Sequence, residues 1–389
     1  MKVISVPSSK SLWNRYQILA SFADVSIQGR DPGLDVQVLQ QALSHWHDTS
    51  QFELGQGGTS FRFFLARVSR LAGTWLVRAD PVLLARPQGP LFDALRSLGV
   101  SVEIRPDGVE LESQGWRQPP TKLVLDSRVS SQFASALLLS AIDLPFDFEF
   151  EVPQPSSVDY WRMTLNCFEV ATGFRPEERH VRIPRNLKVT RGGSWTVETD
   201  WSSAWSVMGV RLAMSSRGSF EPFLVPGLAA DSTQPDSRCV ELLGLWGAQW
   251  EFSSRGLMVN HLPSRWRAVS SFDLGSAPDL FPVLAVVLAL GDGKSRITGI
   301  SNLVHKESNR IEEVRELLTQ AGFDCGHDSE SFWVEGNPLS PRTSFQFDAH
   351  RDHRMAMAAA VLQAGGWSVN LLGADSVRKS FPSFWEVMG

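Results

Sequence analysis

The sequence contains little cysteine, no basic excess and no long apolar run. Its 389 residues include Cys167, Cys239 and Cys325, which are too few and too widely spaced for a disulfide framework or a zinc site and therefore indicate a reducing compartment. A net charge of −5 without a basic stripe argues against a nucleic-acid-binding protein. Residues 280–290 form the longest apolar run, which is too short to cross a bilayer. The N-terminus shows no signal-peptide pattern, so we expect a cytoplasmic protein.

What the sequence does contain is a repeat of helix-ending glycines. Gly99, Gly173, Gly247 and Gly322 each follow a helical pattern, and about 74 residues separate each from the next. After each glycine the pattern predicts a strand, a turn and a second strand. We therefore predict helix-and-hairpin segments at residues 91–113, 166–184, 240–261 and 314–336.

A second series of helices keeps the same period. Each opens with Ser, Gly, Asp or a basic residue and then becomes apolar, and the openings lie near Lys10, Gly58, Ser130, Ser203, Pro278 and Asp352. The first interval is shorter by about 25 residues, because the hairpin before residues 52–55 is missing. The pattern predicts six α/β units, three in each half, with the first unit truncated. A chain of this length accommodates two such domains, joined near residues 8–10 and 198–200.

Helix N-termini that recur at one place in each unit indicate anion binding. Each N-terminus carries about half a positive charge and free backbone N–H groups. Cations and short polar donors lie near these ends: Lys10, Arg15, Arg62, Arg86, Arg310, Arg354, Lys379, Ser11, Ser130, Ser131 and Gln132. Such a set suits two phosphorylated or carboxylated small molecules. For any single position the alternative stays open, namely that polar residues only cap helices and cations lie on the surface.

Residues 302–310 concentrate polar side chains in one short stretch. An amide, an ammonium, a carboxylate and a guanidinium occur there: Asn302, Lys306, Glu307 and Arg310. The capping pattern Asn309-x-x-Glu312 predicts that a helix starts at the end of this stretch. The alternative interpretation is a solvated helix start with an ordinary Glu–Arg pair.

Other motifs do not support a nucleotide or metal site. Residues 291–295 resemble the end of a phosphate-binding loop, but the first glycine of that motif would fall at Leu288. Residues 55–58 are rich in glycine but lack the spacing of a dinucleotide fingerprint. His350 and His353 have no Cys or carboxylate set in reach by sequence, so no metal is expected.

The polar motifs at the helix starts follow one another in a recognisable order. They are Lys10-Ser11-x-x-Asn14-Arg15, Gly58-Thr59-x-x-Arg62, Arg86-Pro87, Ser130-Ser131-Gln132, Pro278-Asp279, Asn302-x-x-x-Lys306-Glu307-x-x-Arg310, Asp352-His353-Arg354-Met355-Ala356-Met357 and Lys379-x-Phe381-Pro382. As a set they resemble the EPSP synthase (3-phosphoshikimate 1-carboxyvinyltransferase) family. The resemblance implies a two-domain inside-out α/β barrel, the enolpyruvyl transferase fold, with six βαβαββ-type units. It implies an N-terminal domain at residues 10–199, a C-terminal domain at residues 1–9 and 200–389, and a ligand site in the cleft between them.

The resemblance also implies a reaction. The family transfers the enolpyruvyl group of phosphoenolpyruvate to the 5-hydroxyl of shikimate 3-phosphate by addition–elimination, as part of aromatic amino acid biosynthesis. No metal or organic cofactor is required, and a monomer without nucleic-acid or membrane partners is expected. Because Gly58 matches a small residue of glyphosate-sensitive enzymes, glyphosate is expected to compete with phosphoenolpyruvate.

Roles for individual residues follow from their matched positions in the family motifs. Asp279 resembles the carboxylate that accepts the hydroxyl proton, and Glu307 resembles the acid that protonates the methylene carbon, with Lys306 assisting. Shikimate 3-phosphate is expected to contact Lys10, Ser11, Arg15, Ser130, Ser131, Gln132, Ser157, Tyr160, Asp279, Asn302 and Lys306. Phosphoenolpyruvate is expected to contact Lys10, Gly58, Arg62, Arg86, Gln132, Arg310, Arg354 and Lys379.

The sequence departs from the family pattern at four places. Ser8 replaces a glycine, Gln56-Gly57 an Asn-Ala pair, Phe63 a proline and Ser308-Asn309 a Thr-Asp pair. With the truncated first unit, these departures leave open a non-catalytic paralogue that binds the same anions. A UDP-N-acetylglucosamine enolpyruvyl transferase is a further alternative, although that family typically uses a Cys in its first domain and no cysteine precedes Cys167 here.

Overall fold

Short strands alternate with helices along the computed structural model, which describes residues 1–388. The strands are β1 (Lys2–Val3), β2 (Val25–Gln28), β3 (Gln51–Glu53), β4 (Ala72–Arg78), β5 (Ser101–Arg105), β6 (Gly108–Gln114), β7 (Leu123–Val124), β8 (Phe148–Glu151), β9 (His180–Ile183), β10 (Gly193–Thr196), β11 (Phe223–Pro226), β12 (Gln249–Ser253), β13 (Gly256–His261), β14 (Phe272–Asp273), β15 (Gly293–Thr298), β16 (Asp324–His327), β17 (Ser331–Gly336), β18 (Ser344–Asp348) and β19 (Ser368–Leu372). The helices are α1 (Lys10–Ala20), α2 (Leu34–His45), α3 (Gly58–Val68), α4 (Pro81–Leu84), α5 (Gly89–Ser97), α6 (Gln132–Ser140), α7 (Val158–Thr172), α8 (Trp201–Ser215), α9 (Cys239–Leu245), α10 (Phe281–Ala289), α11 (Arg310–Gln320), α12 (His353–Ala364) and α13 (Phe384–Met388). Turns of 3₁₀ helix lie at Pro235–Arg238, Pro278–Leu280, Leu303–His305 and Ala374–Lys379.

The chain forms two compact units. One is Ser9–Val197, and the other combines Met1–Ser8 with Glu198–Gly389. The first residues belong to the second unit because β1 pairs in parallel with β11. The identification of these units with the two domains expected from the family stays a prediction.

Within residues 1–388 each unit contains three sheets, and every sheet includes a parallel strand pair. The sheets of the Ser9–Val197 unit have the strand orders β3-β4-β6-β5, β7-β8-β9 and β10-β2. Those of the other unit have the orders β1-β11-β13-β12, β14-β15-β17-β16 and β18-β19. Parallel neighbours need a crossover connection, and helices α3, α6, α10 and α12 provide it in four of the sheets. The six-fold repeat predicted from the sequence is therefore present.

Three of the four predicted hairpins are confirmed and one is wrong. The antiparallel pairs β5-β6, β12-β13 and β16-β17 form where predicted. Residues 166–184 contain β9 alone, which pairs with β8. Pro176 offers no N–H for a strand ladder, and the Glu178 carbonyl accepts a hydrogen bond from Trp161 Nε1 at 2.8 Å. The first unit lacks its hairpin as predicted, since β2 pairs only with β10 in the described chain.

The core of each unit is a set of three helices that are buried on nearly every side. Helices α1, α3 and α6 pack together in the Ser9–Val197 unit, and α8, α10 and α12 pack together in the other. Every residue of α10 is buried. At Gly209 the helix α8 approaches α10 and α12 closely, because a Cβ there would lie 2.7 Å from Val283 Cγ1 and 3.2 Å from Val361 Cγ2. This packing brings the N-terminal residues of the core helices together within each unit.

Candidate active site

Three carboxylates surround the guanidinium of Arg310, which is 1% exposed. Its Nη1 lies 2.8 Å from Asp279 Oδ1, its Nη2 lies 2.7 Å from Glu307 Oε2, and its Nε lies 2.8 Å from Asp352 Oδ2. Burial acts to lower the pKa of Arg310, but the charges of the three carboxylates outweigh it and hold that pKa well above its usual range. Arg310 therefore fixes two of the predicted catalytic carboxyl groups relative to each other.

Asp279 is the carboxylate with the most cationic contacts in this cluster. Beyond Arg310, it pairs with Arg354 Nη2 at 2.9 Å and with Lys306 Nζ at 3.6 Å. Burial acts to raise the pKa of Asp279, but the charges of Arg354, Lys306 and Arg310 hold it well below the usual range. Asp279 is therefore ionised across the neutral pH range.

Helix caps explain why these side chains converge. The Asn309 side chain accepts a hydrogen bond from the Glu312 N–H at 3.5 Å and so starts α11 at Arg310, which confirms the predicted cap. Asp352 caps α12 through the Arg354 N–H at 2.9 Å. The 3₁₀ turn Pro278–Leu280 leads into α10 and carries Asp279. Asp279 and Asp352 therefore come from the starts of the core helices α10 and α12, and Arg310 comes from the start of α11.

Asp352 is a site residue that sequence reasoning missed. It reads as an ordinary helix cap, yet it is fully buried and also binds Arg310. Ser308 donates a hydrogen bond to Asp352 Oδ2 at 3.2 Å. Although Ser308-Asn309 departs from the family pattern, both residues help to hold Arg310 in place. Ser308 binds Asp352, and Asn309 caps the helix that Arg310 starts.

Two further predicted residues of this unit lie in nearby turns. Lys379 ends the 3₁₀ turn Ala374–Lys379 and is 7% exposed, and within residues 1–388 its Nζ has no hydrogen-bond partner. Asn302 immediately precedes the 3₁₀ turn Leu303–His305. A buried ammonium without a partner is costly unless a ligand supplies an acceptor. Lys379 is therefore suited to an anion.

In the Ser9–Val197 unit, Gly58 lies against a group of polar side chains. A Cβ on Gly58 would lie 3.1 Å from Arg62 Nη1, 3.1 Å from Arg86 Nη1 and 3.4 Å from Gln132 Oε1. Arg62 is 2% exposed and donates from Nη1 to Gln132 Oε1 at 2.6 Å and from Nε to Gln88 Oε1 at 2.8 Å. The structure thus brings together four of the residues predicted to contact phosphoenolpyruvate.

Lys10 at the start of α1 is paired with a carboxylate that sequence reasoning missed. Its Nζ lies 2.9 Å from Asp35 Oδ2. A Cβ on Gly57 would lie 2.8 Å from Asp35 Cγ, so the glycine at position 57 leaves room for that carboxylate. Asp35 lies in the first turn of α2. An acidic residue is common there because it interacts favourably with the helix dipole, so the sequence gives no sign that Asp35 also pairs with Lys10.

Arg15 is buried among neutral acceptors. It donates from Nε to Thr164 Oγ1 at 2.8 Å, from Nη1 to the Ser11 carbonyl at 2.7 Å and from Nη2 to the Tyr160 carbonyl at 3.0 Å. Burial lowers the pKa of Arg15. Within residues 1–388 Arg15 forms no ion pair, so its charge is available to a bound anion.

The remaining predicted residues of this unit lie at the starts of α6 and α7. Ser157 precedes α7 in a left-handed conformation with φ of 47°, and the Tyr160 N–H donates to its carbonyl at 2.9 Å. Ser130 Oγ accepts from the Gln132 N–H at 3.3 Å, and Ser131 directly precedes α6. The left-handed backbone at a serine is unfavourable and marks a place where function commonly resides.

No group of three or more His, Cys, Asp or Glu side chains in residues 1–388 is placed to hold a metal ion. The same residues include no helix long and apolar enough to span a membrane.

Comparison with known proteins agrees with the motifs. The model of the EPSP synthase (3-phosphoshikimate 1-carboxyvinyltransferase) family matches residues 35–388. A protein named 3-phosphoshikimate 1-carboxyvinyltransferase from Syntrophobacter fumaroxidans is 32% identical, with 98% of this chain and 95% of that protein covered. One of the same name from Methanosphaerula palustris is 30% identical, with 99% and 95% covered.

Solved structures agree on the fold. An EPSP synthase from Acinetobacter baumannii is 20% identical with a TM-score of 0.71, and the match covers 99% of this chain and 95% of that one. The enolpyruvyl transferase NikO from Streptomyces tendae is 15% identical with a TM-score of 0.73, and the match covers 100% and 94%. The enolpyruvyl transferase fold predicted from the motifs is confirmed. On the family match and the identity of these relatives, the chain belongs to the EPSP synthase (3-phosphoshikimate 1-carboxyvinyltransferase) family.

Proposed function

We propose that the protein transfers the enolpyruvyl group of phosphoenolpyruvate to the 5-hydroxyl of shikimate 3-phosphate, releasing phosphate, as an enzyme of the shikimate pathway. The observation that carries this proposal is the buried Arg310, which holds Asp279 and Glu307 on neighbouring nitrogens of one guanidinium. Addition of a hydroxyl across the double bond of phosphoenolpyruvate, an enol phosphate, requires that one proton leaves oxygen and another reaches carbon. Two carboxyl groups fixed in one cluster provide for both transfers.

In this proposal Asp279 accepts the hydroxyl proton. Without substrate, Arg310 and Arg354 contact Asp279 directly and make it a weak base. The carboxylate and phosphate of phosphoenolpyruvate would bring negative charge to both guanidiniums and weaken their hold on Asp279. Binding of the anion therefore raises the basicity of Asp279 when the base is needed.

Glu307 and Lys306 are assigned to the other proton transfer. Glu307 delivers a proton to the methylene carbon, and Lys306, which lies 3.6 Å from Asp279 through its Nζ, assists. In the elimination step the methyl group returns a proton to Glu307 as the C–O bond to phosphate breaks, and Arg310, Arg354 and Lys379 stabilise the charge on the leaving phosphate. These roles require no metal or organic cofactor.

In the Ser9–Val197 unit we assign Arg15, Ser11, Ser130, Ser131, Ser157 and Tyr160 to shikimate 3-phosphate. Arg15 supplies a charge that no carboxylate of the described chain neutralises, while serine hydroxyls are short donors suited to phosphate. Gly58, Arg62, Arg86 and Gln132 are assigned to phosphoenolpyruvate because they lie together around the Cα of Gly58. Lys10 and Gln132 are assigned to both substrates.

The activity is tested by incubating the purified protein with both substrates and measuring phosphate release. We expect release that requires both substrates and is lost in Asp279→Ala. No release above a control without enzyme would refute the proposal. Calorimetric binding of shikimate 3-phosphate without any turnover would instead identify a non-catalytic paralogue.

Gly58→Ala should raise the KM for phosphoenolpyruvate and weaken inhibition by glyphosate. The added Cβ would crowd two guanidinium nitrogens at 3.1 Å, and overpacking of this kind costs about 1–3 kcal/mol, which corresponds to a KM increase of about 5- to 150-fold. Steady-state kinetics with varied phosphoenolpyruvate, with and without glyphosate, measure both effects.

Gly89→Ala is the matched control for this change. It lies in the same unit, and a Cβ there would meet no atom within 4 Å. Its KM should equal that of the wild type. A Gly58→Ala enzyme with unchanged KM, or a wild type unaffected by millimolar glyphosate, would contradict the assignment of Gly58.

We further propose that the protein acts in the cytoplasm as a monomer. A net charge of −5 without a basic stripe in the sequence gives no feature that would attract nucleic acid or anionic lipid. Light scattering on the purified protein should give the mass of one chain, 43.2 kDa.

A further inference from the structure

Asp35 has no role in the reaction described above, yet its carboxylate binds a residue that is assigned to both substrates. Lys10 donates from Nζ to Asp35 Oδ2 at 2.9 Å, and the two side chains are 16% and 6% exposed. The bond joins two helices, because Lys10 is the first residue of α1 and Asp35 lies in the first turn of α2. A long, flexible side chain is therefore tied to a buried carboxylate.

The backbone at Asp35 is held by contacts that do not involve Lys10. Ser60 of α3, which is fully buried, donates from Oγ to the Asp35 carbonyl at 2.6 Å. Asn14, one turn after Lys10 on α1, donates from Nδ2 to Ser60 Oγ at 3.2 Å. Asp35 is thus fixed against α1 and α3, and it provides an anchor for the lysine.

Gly57, the residue before α3, leaves space for this carboxylate. A Cβ at position 57 would lie 2.8 Å from Asp35 Cγ and 2.9 Å from Asp35 Oδ1, which is closer than non-bonded atoms approach. Gly57 belongs to the Gln56-Gly57 departure from the family pattern, and the alanine of that pattern would displace the carboxylate from this position. The contact between Asp35 and Lys10 therefore depends on the glycine.

The helix dipoles explain why Lys10 needs a partner of opposite charge. A cation in the first turn of a helix is repelled by the positive end of the helix dipole. Lys10 has that position on α1, and α3 also begins close to Asp35, at Gly58. The Asp35 carboxylate offsets these positive helix ends, so that the ammonium stays at the helix start.

We propose that Asp35 is a positioning residue, which accepts one N–H of Lys10 and so directs the other two N–H groups towards the substrates. An ammonium has three donors at tetrahedral angles, and one fixed bond restricts the directions of the others. The inference rests on the proposed function, because the assignment of Lys10 to both substrates comes from there. Loss of the acceptor at position 35 therefore weakens the binding of both substrates.

The test compares Asp35→Ala with Asp35→Asn. Both variants lose the negative charge, but asparagine keeps an oxygen that accepts from Lys10, so the difference between them reports the hydrogen bond. Without that bond, ordering of the lysine side chain costs entropy when substrate binds. The KM of each substrate in Asp35→Ala should therefore exceed that in Asp35→Asn by about three- to tenfold. Equal KM values in the two variants would overturn the proposal.

The same two substitutions in a Lys10→Met protein show whether Asp35 acts through Lys10. The dissociation constant for shikimate 3-phosphate, measured by calorimetry, serves here because it needs no turnover. With no ammonium to hold, alanine and asparagine at position 35 should give constants within about twofold of each other. A difference as large as that found with Lys10 present would show that Asp35 shapes the site without Lys10, and would overturn the proposal.

Gly57→Ala changes the same contact without removing either charge. Its Cβ would push the Asp35 carboxylate away from Lys10, so the KM values of both substrates should rise. Gly89→Ala is again the matched control, since it adds a methyl group where no atom lies within 4 Å. Wild-type KM values in Gly57→Ala would contradict the proposal.

A measurement on Lys10 itself separates this inference from the proposed function. In protein with ¹³C-labelled lysine, the side-chain order parameter of Lys10 should be high in the wild type and in Asp35→Asn, and it should fall in Asp35→Ala. An unchanged order parameter in Asp35→Ala would overturn the inference. A wild type without phosphate release would refute the proposed function, and the order parameter would still report on Asp35.

Discussion

Asp279→Asn should lower kcat for phosphate release by about 10²- to 10⁴-fold, the range that a general base contributes. Asparagine has nearly the same shape and keeps an oxygen for Arg310 or Arg354, but it does not accept a proton. The substitution also removes a negative charge from between Arg310, Arg354 and Lys306. Phosphoenolpyruvate no longer competes with that charge, so its KM should stay the same or fall.

The split between kcat and KM distinguishes a base from a structural carboxylate. Kinetics at saturating shikimate 3-phosphate measure both constants, and Asp324→Asn, an exposed position at the start of β16, serves as the control with wild-type values. A large rise in KM with little change in kcat would show that Asp279 holds the site together without acting as the base.

The pH dependence that involves Asp279 lies on the acid side. Its pKa in the folded protein is held well below that of an unfolded aspartate, about 3.9. The stabilisation from its ion pairs is therefore fully present above about pH 4 and is lost only as the pH falls further. Activity between pH 5 and pH 7 should not decline through protonation of Asp279.

The residues named from the sequence and those missed differ in one physical respect. Helix caps and glycine stops depend on neighbours within a few residues, so Asn309 and the repeat period were predictable. Asp35 and Asp352 stand at helix starts, where acidic residues are common, so a sequence gives no reason to assign them a further role. Their pairing with Lys10 and Arg310 depends on how separate helices pack, which one sequence does not display.

The hairpin predicted in residues 166–184 is an error of the other kind, because an element was predicted that the structure does not contain. The spacing of Gly173 from its neighbours predicts a complete unit, because a constant interval suggests that each repeat contains the same elements. Pro176 prevents the first strand locally, and the Trp161 side chain takes the carbonyl of Glu178. The local effect of Pro176 on the backbone therefore decided the structure, although the repeat spacing predicted a strand there.

Arg310→Met should lower the free energy of unfolding by about 3–5 kcal/mol, the cost of removing one partner from a buried charge cluster. Methionine fills much of the same volume, so the loss reflects charge and hydrogen bonds more than a cavity. Asp279 keeps Arg354 and Lys306, but Glu307 and Asp352 each lose the guanidinium that contacts them. Such a loss is large beside the total stability of about 5–15 kcal/mol that folded domains have.

Urea denaturation of Arg310→Met, followed by tryptophan fluorescence, measures this change. Arg315→Met is the control, since it lies on the same helix, is 46% exposed and pairs with Glu312 at 2.8 Å. A surface pair contributes about 0–1 kcal/mol, so its effect should be small. A loss of stability in Arg310→Met no larger than that in Arg315→Met would mean that Arg310 stabilises the unit through packing alone, and the carboxylates around it would then need no counter-charge.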